Sequence, residues 1–462
     1  MAHPLFGPEV RLMLSEDNTR GLKTFCETLH PTTLAETLAE ETFTVEEVWK
    51  VLEQTSVRNQ AAIFEYFPIQ WQVKMAEGTG RANMARLIEQ MSHDDRVDLL
   101  RRLDSLVAEG LLRLVDEADR RDIAELFRYK ENTVGSIMTT DYAWLPATLT
   151  AAQAIDRLRQ QAPDKETIYY IYILDETTRK LLGIVTLRDL ILADRFTLLR
   201  EIMETEFVSL QATEDRESAG NVFARYDLLA IPVMDGEGRL VGIVTHDDAI
   251  DVIRAEATDD IQKQGAVGNI TEGYFEASFF KVWRIRTMWL SLLFVAEMLT
   301  YNALTFFEET LEKVLVLKYF IALCIATGGN SGTQASTLVT RAIALGEVRL
   351  KDWFRVLRRE FLMGLAMGLA IGLLGLLRAC FVDDARLVYD DGSPVNRFLF
   401  ILMIANGVAA LCICGSVLGS ILPLIFKRLG FDPAFASGPG VATLVDVTGI
   451  LLFFSIAKLY LL

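Results

Sequence analysis

The chain has 462 residues, too many for one hydrophobic core, and a formal net charge of −16. The charge is uneven: residues 1–275 hold 29 basic and 48 acidic side chains, whereas 276–462 hold 17 and 14. A strongly acidic first part argues against nucleic acid as a partner and for cations.

The start, MAHPLFGPEV, has neither the basic beginning nor the apolar core of a signal peptide. Residues 1–130 read as an acidic helical domain. Apolar residues recur three to four apart, as in Leu87 and Met91 and then Leu99, Leu100, Leu103 and Leu106. Short helix pairs of this kind predict a solenoid, in which neighbours supply the missing core. Asp94, Asp95 and Asp98 gather at one helix start, where capping and the helix dipole already give acids a reason to sit.

Residues 131–253 contain an internal repeat. VGSIMTT and LLGIVTLRDLI in the first copy answer LREIMET and LVGIVTHDDAI in the second, and the second GIVT lies 59 residues after the first. Each copy predicts a helix, an apolar strand pair and a closing helix. The turn is clearest in IPVMDGEGRLVGIVT, with Asp235 and Gly236 at the hairpin. The repeat resembles a tandem CBS pair, a regulatory α/β module. In such modules Gly-x-x-Thr-x-x-Asp holds an adenine nucleotide. It stands here as Gly183, Thr186, Asp189 and as Gly242, Thr245, Asp248. Thr and Asp at this spacing also simply cap the next helix. Residues 254–275 follow as a polar, Pro-free connecting helix carrying Glu256, Asp259 and Asp260.

Residues 276–462 hold five apolar segments, at about 288–307, 314–338, 361–377, 398–426 and 434–462. Basic residues flank them on one side: Lys281, Arg284 and Arg286, then Arg341 to Arg359, then Lys427 and Arg428. The alternate loops are acidic, with Glu308, Glu309 and Glu312 in one and Asp383, Asp384, Asp390 and Asp391 in the other. The positive-inside rule then puts the N-terminus in the cytoplasm and the C-terminus outside a cell membrane. An odd helix count does not divide into two equal repeats, so a homodimer is the natural route to a symmetric pore. The second segment contains Gly328, Gly329 and Asn330, small and polar residues that suit either helix packing or a water-filled wall. The last carries Asp446 inside an apolar run, with Ala442, Thr443, Gly449 and Ile450 as helical neighbours. A charge there costs at least about 2.5–3.5 kcal/mol on insertion scales, so Asp446 either pins helices together or marks an ion path. The membrane segments contain no His, and Cys412 and Cys414 fall on different helix faces, so soft transition metals are poorly served. The five Cys show no zinc or disulfide spacing, and no nucleophile–base pair or phosphate-cradling loop suggests an enzyme.

The chain resembles the MgtE family of magnesium channels. The resemblance rests on GGNSGTQ at 328–334, Arg359-Glu360 before the third segment, and FDPAFASGP followed by TLVDVTG at 431–449, in the family's domain order. It implies a bacterial multi-pass membrane protein, a homodimer among lipids whose second and fifth membrane helices line a pore on the two-fold axis. Asp446 would be the selectivity site, with Asn330, Ala442, Thr443, Gly328 and Gly329 beside it. It also implies that cytosolic acids bind magnesium, move a plug helix and close the pore. THDDAIDVIRAEATDD carries this over to Asp248, Asp251, Glu256, Asp259 and Asp260; Asp215, Glu217 and Asp227 follow, then Asp94, Asp95 and Asp98. Magnesium is the implied ligand, ATP at the CBS pair is left open, and a sodium- or proton-coupled exchanger or a non-transporting CBS nucleotide sensor are the rival readings.

Overall fold

A computed structural model describes residues 6–462 except 41–42, 79, 271–272 and 276. The chain divides into two compact units, Met1–Ile253 and Arg254–Leu462.

The first unit opens with ten helices among the described residues, α1 (Phe6–Ser15) to α10 (Glu117–Leu126). Helix starts are fixed by side chains; Thr44 and Glu47 form a capping box at Val45–Leu52. Helices pack on the next but one, so α8 (His93–Arg102) lies on α10. Arg96 of α8 is only 1% exposed and is held by Asp119 at 2.9 Å and Asp122 at 2.7 Å, both on α10. Its burial is tolerable because both ends of its guanidinium are paired.

Two three-stranded sheets follow, as the repeat predicts. In one, β1 (Tyr142–Pro146) runs parallel to β2 (Thr167–Leu174), which pairs antiparallel with β3 (Leu181–Thr186). In the other, β4 (Leu210–Gln211), β5 (Ala230–Met234) and β6 (Leu240–Thr245) repeat that order. The register repeats as well: Ile173 faces Gly183 and Val233 faces Gly242. The left-handed residue of the second hairpin is Gly238, at φ 77°, rather than Gly236. Asp235 closes that turn by accepting from the backbone N–H groups of Glu237 and Arg239.

One helix, α15 (His246–Gln264), runs from the end of β6 into the second unit. It corrects the expected connecting helix over 254–275: there is no break at 254, and the helix stops at Gln264. Ala266 and Gly268 take φ values of 51° and 84°, which a helix cannot continue through. Gln262 then fastens the chain by hydrogen bonds to both backbone groups of Ile270.

The second unit continues with α16 (Phe279–Phe306), α17 (Glu308–Lys313), α18 (Leu317–Ala344), α19 (Trp353–Cys380), α20 (Arg397–Arg428) and α21 (Gly438–Leu461). Among the described residues, four helices are long and apolar enough to cross a membrane: Phe279–Phe306, Leu350–Cys380, Arg397–Arg428 and Gly438–Leu461. The fifth expected segment is present as α18, with 28 residues. Its Gly, Asn, Ser, Thr and Gln residues dilute its apolarity below the other four. That composition is matched by how it packs. A side chain on Gly415 or Gly419 of α20 would collide with the backbone of Gly328 or Gly332 on α18. On the other face of α20, a Cβ at Gly364, Gly368 or Gly372 of α19 would come within 2.9 Å of α20 backbone atoms. Small residues thus bring three helices into backbone contact. Ser331 adds hydrogen bonds to Cys412 O at 3.1 Å and to the Ser416 hydroxyl at 2.7 Å.

Candidate functional sites

Helix α21 starts where Ser437 caps it, accepting from the N–H of Gly440. Ser336 and Thr333 of α18 donate to the carbonyls of Ala436 and Gly438, which fixes that start against α18. Two turns on, Asp446 is half-buried and has no hydrogen-bond or ion-pair partner among the described residues. Gly329 lies opposite: a Cβ there would stand 3.7 Å from the Ala442 Cβ and 4.0 Å from Asp446 Oδ1. The bare α18 backbone therefore faces the carboxylate directly. Gly328 is buried against Val445 and Leu411. Thr443 is half-buried, and its hydroxyl donates back to Pro439 O at 3.1 Å. Asn330 is exposed. The structure thus joins Gly329, Ala442 and Asp446. Sequence reading missed Glu297, in the middle of the apolar run of α16 and near enough to act on Asp446 electrostatically. Its signal was plain: an acid within MWLSLLFVAEML.

In the first unit, Asp94 and Asp95 open α8 and Asp248 opens α15. The carboxyls of Asp94 and Asp248 lie close enough to act on each other. Burial raises both above the usual carboxylate range, and Asp94 and Asp247 raise Asp248 further. Burial, then Asp94 and Glu65, raise Asp95. Glu65 and Glu166, neither singled out in the sequence, complete the cluster. Burial and the charges of Asp94, Glu65 and Asp247 push Glu166 to about 7. Asp98 is open to solvent at its rim, yet the surrounding protein and Asp94 raise it to about 6.

His93 is a further residue the sequence did not flag. Its Nδ1 lies 2.9 Å from Asp122 and its Nε2 lies 2.8 Å from Asp141, so helical domain and CBS repeat grip one ring. Burial alone would lower its pKa, but hydrogen bonds to Asp122 and Asp141 overcome that and raise it to about 9. Lys165 pairs with Asp141 at 3.2 Å, and Thr140 donates to Asp122 at 2.7 Å.

The remaining expected sensor residues are placed by the helices that carry them. Asp215 caps the start of α14 (Arg216–Tyr226), and Asp227, at φ 51°, ends it. Glu217 lies in its first turn. Asp251 and Glu256 lie along α15. Asp259 pairs with Lys263 at 2.5 Å, and Lys263 also grips Asp432 and lies over the Phe435 ring. Burial and Asp432 raise Asp260 to about 6. Among the described residues no three His, Cys, Asp or Glu side chains converge in a metal-holding group.

The CBS motif residues have local work in both copies. Thr186 Oγ1 accepts from the Asp189 N–H and donates to its carboxylate at 2.5 Å. Thr245 donates to Asp248 in the same way. A Cβ on Gly183 would lie 2.8 Å from Glu204 O, and one on Gly242 would lie 2.9 Å from Thr139 O. The glycines therefore let neighbouring backbone approach the strands.

A pH dependence follows. A carboxyl raised in the folded state contributes stability below its ordinary pKa of about 4 and loses it as pH rises through the folded value. Values of about 6 for Asp98 and about 7 for Glu166 put that loss between about pH 4 and 7. His93 acts in the same direction over a higher window, from its ordinary value of about 6.5 to about 9. Limited proteolysis of the full chain in chelator should accelerate as pH rises from 6 to 8, and magnesium should flatten that rise. Cleavage rates independent of pH in chelator would contradict it.

The family model described as a divalent cation transporter matches residues 321–456, and that of the MgtE intracellular N domain matches 29–132. CBS domain models match 134–195 and 199–255. The magnesium transporter MgtE of Thermus thermophilus is 37% identical over 451 residues, 97% of each chain. That of Bacillus subtilis is 30% identical over 85% of this chain and 84% of its own. Among solved structures, the soluble part of a magnesium transporter matches with TM-score 0.51 at 29% identity, covering 54% of this chain and 98% of its own. The cytosolic domain of the Mg2+ channel MgtE in complex with ATP matches with TM-score 0.51 at 34% identity, covering 54% of this chain and all of its own. The chain belongs to the MgtE family of magnesium transporters.

Proposed function

We propose that this protein carries Mg2+ across a bacterial cell membrane, with Asp446 as the residue that selects the ion. The observation that carries the reading is an unpartnered carboxylate on α21 facing the bare glycine backbone of α18. Magnesium keeps its waters in octahedral geometry and sheds them reluctantly. A carboxylate beside a backbone with no side chains leaves room for a hydrated ion held through water. In a homodimer two Asp446 carboxylates would share it across the two-fold axis. The reading includes α18 as a fifth membrane helix, an N-terminus in the cytoplasm, and the membrane potential, roughly 2.3 kcal/mol per charge per 100 mV, as sufficient driving force.

Regulation is proposed to run through the acids of the first unit, stacked as a solenoid on the CBS pair. Asp94 and Asp248 face each other where a divalent cation could sit, and Asp95, Asp98, Glu65 and Glu166 add charge that a cation would offset. Magnesium bound there would favour the closed state, with α15 as the plug, in proportion to its preference for that state. ATP, bound by a relative's cytosolic domain, is proposed as a CBS ligand here too. The test is divalent flux into proteoliposomes containing the purified protein. Magnesium entry driven by potential alone, without sodium or proton gradients, is expected. Entry only with a counter-ion gradient would replace the channel by an exchanger, and no entry would overturn transport.

A further inference from the structure

The start of α19 carries three arginines, Arg355, Arg358 and Arg359, spaced so that they share one face of the helix. All three are exposed, and none has a hydrogen bond or ion pair among the described residues. With Leu362, Met363 and Ala366 they line an open groove of about 430 Å³. The groove changes character along the helix. Its first turns are cationic, and the next is apolar, with Leu362 52% and Met363 46% exposed. Just before it, Trp353 and Phe354 stand edge to face at 5.7 Å and are also exposed. The helix belongs to a span long and apolar enough to cross a membrane, Leu350–Cys380. An exposed aromatic pair at the end of such a span belongs at headgroup depth.

Three like charges within one turn and a third repel one another. Asp352 accepts from the backbone of Arg349, and the buried Glu360, in a cavity between α18 and α19 that Arg355 and Arg359 also line, offsets Arg359 in part. We infer that this groove binds an anionic phospholipid, its phosphate against Arg355, Arg358 and Arg359 and an acyl chain along Leu362, Met363 and Ala366. Guanidinium forks suit phosphate oxygens, and the apolar half distinguishes a lipid from free phosphate. Net charge distinguishes phosphatidylglycerol from a zwitterionic lipid.

The test is native mass spectrometry of the full-length protein in detergent, titrated with phosphatidylglycerol, phosphatidylcholine or glycerol phosphate. Wild type should retain phosphatidylglycerol and release phosphatidylcholine, and glycerol phosphate should not displace the lipid. Arg358→Gln should weaken retention about fivefold, and the triple Arg355→Gln, Arg358→Gln, Arg359→Gln on the order of a hundredfold. Should the triple variant not reach the membrane, Arg355→Gln and Arg358→Gln separately decide the matter. Four results would overturn the site: unchanged retention in every arginine variant, equal retention of phosphatidylcholine, displacement by glycerol phosphate, or an equal loss from the control Lys427→Gln, Arg428→Gln. Cross-linking that buries this face of α19 against a second copy would also overturn it.

Discussion

Replacing Asp446 with alanine is expected to lower magnesium flux by on the order of a hundredfold while leaving the protein in the membrane. A dication one water away from a carboxylate, at an effective dielectric near 20, is attracted by several kcal/mol, enough to cover that loss. The same replacement removes a charge that costs about 2.5–3.5 kcal/mol to place in an apolar helix, so folding should not suffer. The opposite signs separate a functional loss from a structural one. If Asp446 only pinned helices, Asp446→Ala would lower thermal stability and leave flux per folded molecule intact. Asp446→Asn keeps the shape and the hydrogen bonds to water but not the charge, and should fall nearly as far. Flux into proteoliposomes, normalised to monodisperse protein, checks both variants.

The second large effect is expected from the double replacement Asp94→Asn, Asp248→Asn. In the native pair, ionising both carboxyls sets like charges side by side in a buried place, and only a proton or a cation relieves this. Two amides hydrogen-bond without any charge to relieve. Closure of the cytosolic unit should then proceed without magnesium. Wild type should resist protease at high magnesium and be cut at low magnesium, whereas the double variant should resist at both. Flux through the variant should likewise stop responding to internal magnesium. A variant that keeps the full magnesium dependence of wild type would remove Asp94 and Asp248 from the sensor.

What could be read in the sequence, and what could not, divides along physical lines. The two GIVT copies gave the sheets because strand alternation and hairpin spacing are local. Asp446 stood out because a lone acid in an apolar run costs energy wherever the helix packs. Glu297 obeys the same rule and is equally legible. The end of α15 was not legible, because it depends on left-handed backbone at Ala266, a residue with no preference for it. Nor was the pairing of Asp94 with Asp248. Each acid is legible alone, but their meeting depends on how the helical stack docks on the CBS sheets. Lys263 with Asp432, 169 positions apart, is the same kind of contact.

The backbone seam between α18, α19 and α20 has a mechanical consequence. Where side chains interdigitate, helices can slide by changing rotamers. Here glycines meet backbone directly on both faces of α20, where there is no rotamer to change. The three helices therefore behave as one stiff plate. If the proposed ion path runs beside Asp446, its widening would be a hinged swing of that plate against α21, with the stroke set at the joints where Ser336 and Thr333 hold Ala436 and Gly438.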